Sequence, residues 1–150
     1  EKRKSFFNKQ VGHPIVMIIR KAQPSDAASI SLLMNEGFGW ENNKPISSTF
    51  FNRNHIFCML AVNDENEVMG MASCYILEKI NRRSALVEDV VVFKKHRGNS
   101  VGKKIIEQLI EISKEKNCYK IILNTQQENI SYYEKIGFIK KQLQMEIRLN

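Results

Sequence analysis

No stretch of this chain approaches the 18 or more consecutive apolar residues that a membrane-spanning helix needs, and no secretory leader pattern opens it. Cysteine is scarce and odd in number (Cys58, Cys74, Cys118), without C-x-x-C or metal-ligand spacing. That argues against a disulfide scaffold and against a bound metal. It fits buried free thiols in a reducing cytosol, so a cytoplasmic protein is expected. The three histidines (His13, His55, His96) are scattered without ligand spacing. Internal repeats, low-complexity tracts and any sign of a second domain are also missing. What the chain does have is 150 residues, 43% of them hydrophobic, enough to bury the core of one domain. It also has 23 basic against 16 acidic residues, a net charge of +7. The basic residues are mostly dispersed and lack interleaved aromatics, so an anionic small molecule fits that charge better than nucleic acid.

The most informative stretch is residues 87–117, VEDVVVFKKHRGNSVGKKIIEQLIEISKEKN. An acidic pair opens a short apolar strand at 87–93, a basic glycine-bearing turn follows, and a helix runs to about Asn117. Its apolar residues (Val101, Ile105, Ile106, Leu109, Ile110, Ile112) keep to one side at helical spacing. Asn99 or Ser100 serves as N-cap and Asn117 as a left-handed stop. The first turn carries Lys103 and Lys104, with no acid before Glu107. Cations at a helix N-terminus cost roughly 0.3–1 kcal/mol each unless an anion docks there. Gly98 and Gly102 let the backbone come close to such an anion. The same features also fit a plain strand-to-helix connection with solvated lysines. A nucleotide P-loop is ruled out. It needs four residues between its glycines and a Ser or Thr after the Lys, whereas GNSVGKK has three and then Lys104. A G-x-G-x-x-G run is absent too.

Along the rest of the chain, residues 1–14 read as a flexible basic arm and 15–150 as a single domain. A strand is expected at 15–20, then a helix opened by Pro24-Ser25-Asp26 that turns Ile30, Leu33 and Met34 to the core. Gly37 and Gly39 should break it. Residues 40–54 form a variable region with one short helix near 47–51, its Trp40, Phe50 and Phe51 packing. Strands at 56–62 and 68–77 make an antiparallel meander into 87–93. A buried strand at 119–123 requires a parallel, right-handed crossover from it. A short helix at 129–136, stopped by Gly137, and strands at 138–140 and 142–148 complete an α/β mixed sheet.

Arg97-Gly98-Asn99-Ser100-Val101-Gly102 resembles the R/Q-x-x-G-x-G/A pyrophosphate loop of the GNAT superfamily of acetyl-CoA-dependent N-acetyltransferases, with Ser100 where a glycine is usual. Together with the 87–92 strand, the CYKIIL run at 118–123, Asn129 and the YEKIGF run at 133–138, it is most similar to the glucosamine-6-phosphate N-acetyltransferases. The detailed likeness covers about residues 85–149. Residues 1 to about 75 match only in the order of elements. The resemblance implies the GNAT fold, with the strands before and after the long helix splayed apart and acetyl-CoA entering the gap. It implies acetylation of the 2-amine of glucosamine 6-phosphate on the way to UDP-N-acetylglucosamine, in a homodimer with shared active sites, without metal, membrane or nucleic acid.

By that resemblance, the backbone of Val90, Val91 and Val92 holds the pantetheine arm. Arg97, Gly98, Asn99, Ser100, Val101, Gly102 and Lys103 bind the diphosphate, and Asn129 helps bind the coenzyme. Tyr133 protonates the leaving thiolate, Tyr132 packs, and His96 neighbours the phosphates. Glu88 is assigned to positioning or deprotonating the amine and Asp89 to sugar hydroxyls. As adjacent strand residues they should point to opposite faces. Lys79 and, from the partner subunit, Arg148 are matched to the sugar phosphate. Asn124 stands where many relatives carry an acid and cannot take a proton. Two alternatives remain: a related enzyme for another amine (a protein N-terminus, lysine or polyamine), and an acyl-CoA-binding module without turnover.

Overall fold

The computed structural model describes residues 3–7, 14–40 and 45–149. One six-stranded sheet runs in the order β1 (Arg3–Phe7), β2 (Pro14–Lys21), β3 (Ile56–Asn63), β4 (Val68–Glu78), β5 (Arg83–Val92), β6 (Cys118–Leu123). Every neighbouring pair is antiparallel except β5–β6, which is parallel as the crossover requires. Helix α1 (Ala27–Phe38) covers one face and α2 (Val101–Glu115) the other; α3 (Ile130–Ile136) follows β6. Among the described residues no helix is long and apolar enough to cross a membrane.

Each face has its own core. On the α2 face, Val101, Ile105, Leu109 and Ile112 pack on Met59, Ala61, Ala72, Cys74, Ala85 and Val87. On the α1 face, Ile30 and Leu33 pack on Leu60, Val62, Met71 and Val91. The helical spacing read from the sequence is thus the spacing of the burial. At the foot of α1, Arg20 clamps buried Asp26 with bonds of 2.8 and 2.9 Å, and the Gln23 N–H donates to the same carboxylate at 2.7 Å.

Several expectations need correction. Arg3–Phe7, read as loose arm, forms an edge strand, because β2 offers an unpaired edge that a short extended segment can satisfy. The rest of that arm, like positions 41–44 of the variable region, lies outside the described residues. The short helix in that region is a 3₁₀ turn at Ser48–Asn52. Gly37 does not break α1, which continues to Phe38 and stops at left-handed Gly39. A Cβ on Gly37 would lie 2.7 Å from Val91 Cγ1, so its role is to let α1 approach β5. Strand β5 begins at Arg83, earlier than read. Strand β6 is half-exposed, since only β5 flanks it. Residues 138–149 are not strands: their alternation of apolar residues finds no neighbouring edge among the described residues. Leu143, Met145, Ile147 and Leu149 stand 88–94% exposed in consequence.

Candidate functional site

The site is built around an irregularity in β5. Pairing with β4 runs Ser73 opposite Glu88 and then Met71 opposite Val91, so Ala72 faces two residues, Asp89 and Val90. Asp89 takes the left-handed conformation, φ 53°. The bulge shifts the alternation by one. Val87 belongs to the α2-side core, yet Val91, four residues on, belongs to the α1-side core. Glu88 shares a face with its opposite number Ser73, and Asp89, past the shift, lies on that same face. The expectation that neighbouring acids point apart therefore fails, because it assumed a regular strand. Burial raises the Asp89 carboxyl above the usual range, and burial followed by the nearby Asp89 charge raises Glu88.

Beyond the bulge β5 parts from β6. Their pairing ends at Val87 opposite Leu123, while β5 runs on to Val92. A cavity of about 700 Å³ opens beside the unpaired end, lined by Val90, Val91 and Val92 on one side and by Asn129, Tyr132 and Tyr133 of the α3 region on another. Its remaining wall is the turn into α2: His96, Arg97, Gly98, Ser100, Val101, Gly102 and Lys103. Asn99 is the one predicted turn residue outside the lining, because its amide donates to the His96 carbonyl and stitches the turn. Arg97 Nε donates to the Val92 carbonyl at 3.2 Å, tying the turn to the strand end. Lys95 is ion-paired with Glu67, and His96 Nε2 lies 3.6 Å from the same carboxylate.

The tip of α2 is uncapped. Ser100 occupies the N-cap position in the left-handed conformation, φ 59°, and its side chain makes no capping bond, contrary to its expected capping role. The first-turn N–H groups, which no helix satisfies internally, thus receive no bond from the N-cap side chain. Lys103 and Lys104 share Glu107 at 3.8 and 3.3 Å. Gly102 packs beneath the Tyr132 hydroxyl: a Cβ there would lie 2.6 Å from Oη and would push that ring aside. Tyr133 stacks edge-on against Tyr132 and Phe138, and burial raises its phenol, which therefore holds its proton at neutral pH.

A second cavity, also about 700 Å³, lies on the α1 face between that helix, the 3₁₀ turn and the sheet. Asp89 lines it with Ser73, Tyr75 and Cys58. Tyr75 is a site residue that the sequence reading missed. Its phenol is raised by burial and then by the charges of Asp89 and Glu88, which places it near both. The available signal was Ser73 and Tyr75 alternating within an otherwise apolar strand. Cys58 is pushed up to about 11, chiefly by burial, so it stays a thiol. Trp40 and Phe50, read as packing residues, also line this cavity.

The remaining candidates do not gather there. Asn124 sits one position past the last β5–β6 pair, level with Glu88 but exposed. Lys79 is in the β4–β5 turn with its ammonium 5.9 Å from the Tyr119 ring. Roughly 20 Å of strand separates that turn from Asp89, six residues up from Arg83 at about 3.3 Å each. Arg148 is exposed and bonded to Glu146 at 3.0 Å. Among the described residues no group of three His, Cys, Asp or Glu side chains is arranged to hold a metal ion.

The acetyltransferase (GNAT) family model matches residues 27–138. Glucosamine 6-phosphate N-acetyltransferase of Trypanosoma brucei brucei is 41% identical over 85 residues, 55% of this chain and 58% of that protein. The protein of the same name from Arabidopsis thaliana is 35% identical over 94 residues, 61% of this chain and 63% of that one. The chain thus spans less than two thirds of these relatives. Among solved structures, a Trypanosoma brucei acetyltransferase matches with a TM-score of 0.78 at 30% identity, covering 89% of this chain and 99% of that one. Arabidopsis glucosamine-6-phosphate N-acetyltransferase matches with a TM-score of 0.76 at 26% identity over the same shares.

Proposed function

The chain belongs to the GNAT family of acetyltransferases, and from that premise we propose that it transfers the acetyl group of acetyl-CoA to the 2-amine of glucosamine 6-phosphate by direct attack in a ternary complex. One observation carries the reading: the unpaired end of β5, the uncapped tip of α2, Asn129 and Tyr133 all face a single cavity where two parallel strands part. The names of the Trypanosoma and Arabidopsis relatives favour the sugar phosphate as acceptor.

The residues fit a coenzyme with a diphosphate and an extended arm. Free N–H groups at the head of α2, with Arg97 and Lys103 beside them, suit the diphosphate. The edge of β5 from Val90 to Val92 suits the arm as an added strand, and Asn129 sits where the coenzyme would pass. The amine must arrive neutral, and Glu88 and Asp89, both raised and both on the α1 face, are the groups placed to receive its proton. Tyr133, held protonated by burial, is placed to give a proton to the departing thiolate.

Among the described residues lining the cavity of Asp89 there is no cation for the sugar phosphate. We therefore assign Arg148 to the partner of a homodimer, with Lys79 and Asn124 as further polar contacts. Support comes from residues 143–149, whose alternating apolar side chains stand exposed with no mate among the described residues. The test is release of CoA thiol that depends on glucosamine 6-phosphate. Tyr133→Phe should lower kcat about 100-fold while acetyl-CoA binding holds. Arg148→Ala should raise the KM for the sugar phosphate alone. No sugar-dependent release above background removes this acceptor.

A further inference from the structure

We propose that the Tyr132 hydroxyl is a ligand of the coenzyme's diphosphate, donating a hydrogen bond to it at the head of α2. The inference rests on the acetyl-transfer reading and deepens it. The two neighbouring phenols of α3 serve opposite ends of the coenzyme arm, Tyr132 the phosphates and Tyr133 the sulfur.

Tyr132 has two halves. Its ring is a packing element, as the sequence suggests, and meets Tyr133 edge-on with centroids 5.1 Å apart. Its hydroxyl lies at the tip of α2. A Cβ on Gly102, the second residue of that helix, would lie 2.6 Å from Oη and 3.5 Å from Val92 Cγ2. The oxygen therefore stands against the first turn, where N–H groups have no partner within the helix, and beside Val92, the last residue of β5. It makes no hydrogen bond among the described residues. Packing alone is served by a phenylalanine of the same shape. The hydroxyl adds a donor that the fold does not use.

The surroundings suit an anion. Tyr132 lines the coenzyme-side cavity together with Arg97 and Lys103. Both cations are partly engaged: Arg97 Nε donates to the Val92 carbonyl at 3.2 Å, and Lys103 lies 3.8 Å from Glu107. A diphosphate presents more acceptor oxygens than those two side chains can fill. Burial, and then neighbouring Tyr133, raise the Tyr132 phenol, so it keeps its proton and meets an anion as a donor. Tyr132 is 41% exposed, so the ligand's hydrogen bond replaces one to water. Proton transfer to sulfur is the wrong task for this oxygen. With the arm along Val90 to Val92 and the diphosphate on the turn beyond, the thioester lies about 7 Å of strand away from the Val92 end.

The test is calorimetric binding of CoA and of pantetheine, which shares the arm and lacks every phosphate. Tyr132→Phe should raise the Kd for CoA about tenfold or more, the scale of a hydrogen bond to a charged acceptor. It should leave the Kd for pantetheine and the Tm unchanged, because the ring stays. Tyr133→Phe should bind both ligands as the parent does. Equal CoA affinity in the parent and Tyr132→Phe overturns the inference. So does a loss shared by CoA and pantetheine, which marks lost packing. In turnover with glucosamine 6-phosphate, Tyr132→Phe should raise the KM for acetyl-CoA and keep kcat. A fall in kcat at saturating acetyl-CoA makes Tyr132 a proton donor and also overturns the assignment. Binding of CoA needs no acceptor, so the calorimetry decides the inference even where the sugar-phosphate reading fails. A parent that binds no CoA removes both.

Discussion

Asp26 and Asp89 both lie on the α1 side of the sheet, and their surroundings are opposite. Asp26 receives two bonds from Arg20 and one from the Gln23 amide, so its carboxyl is held below the usual range, with the Arg20 hydrogen bond as the largest cause. Asp89 has no cation among the described residues lining its cavity, stands at a positive φ, and is raised by burial. The first aspartate is finished by the fold. The second has no such clamp among the described residues, and that contrast separates scaffold from site more sharply than burial alone.

The largest effect should come from unfinishing the first. Arg20→Ala would strand a buried carboxylate, and breaking a pair of this kind costs about 3 kcal/mol, readable as a lower denaturation midpoint. Because the folded-state pKa of Asp26 is depressed, its contribution is present above the unfolded value, near 3.9, and is lost as pH falls through the folded value. Asp26→Asn should flatten that part of the acid-denaturation curve below about pH 4. If Arg20→Ala leaves the midpoint in place, the clamp is not part of the scaffold and the comparison breaks.

The second aspartate should respond with the opposite sign. A raised carboxyl destabilises the folded state once ionised, so stability associated with Asp89 grows as pH falls through its folded pKa and is smallest at neutral pH. Asn is of the same size and tolerates a left-handed backbone. Asp89→Asn should therefore raise Tm at pH 7 by about 2 °C, the scale of ~0.5–1 kcal/mol in a domain of this length. It should also lower acetyl transfer about 100-fold and abolish the carboxylate limb of the pH–rate profile. A lower Tm would mean that Asp89 has a partner in the fold after all.

The two regions also differ in how far the sequence reveals them. The scaffold announces itself through period: Ile105, Leu109 and Ile112 recur at helical spacing and are buried where that spacing puts them. The turn into α2 was legible because Arg97-Gly98 and Gly102 are residue types that few other roles require. The bulge was not legible. A one-residue slip in pairing leaves no mark in composition, yet it turned two acids to one face, the face that Ser73 and Tyr75 share. Nor was the fate of residues 142–148, whose alternation is that of a strand but which pair with no strand among the described residues.

Ser100 gives the smallest and cleanest refinement. It adopts φ 59° at the head of α2, where the resembling loop pattern has glycine, and its side chain caps nothing. A Cβ in the left-handed region costs roughly 1–2 kcal/mol, while glycine forfeits about 0.5–1 kcal/mol in the greater freedom of its unfolded chain. Ser100→Gly should then stabilise by about 0.5–1 kcal/mol, whereas Ser100→Ala, which keeps the Cβ, should leave stability near that of the parent. The pair also separates backbone from hydroxyl in coenzyme binding. If only the N–H groups of the turn hold the diphosphate, both variants bind acetyl-CoA as the parent does. If the hydroxyl is a ligand, both bind less tightly while only the glycine variant is more stable, and the conformation at Ser100 belongs to the site rather than to the scaffold.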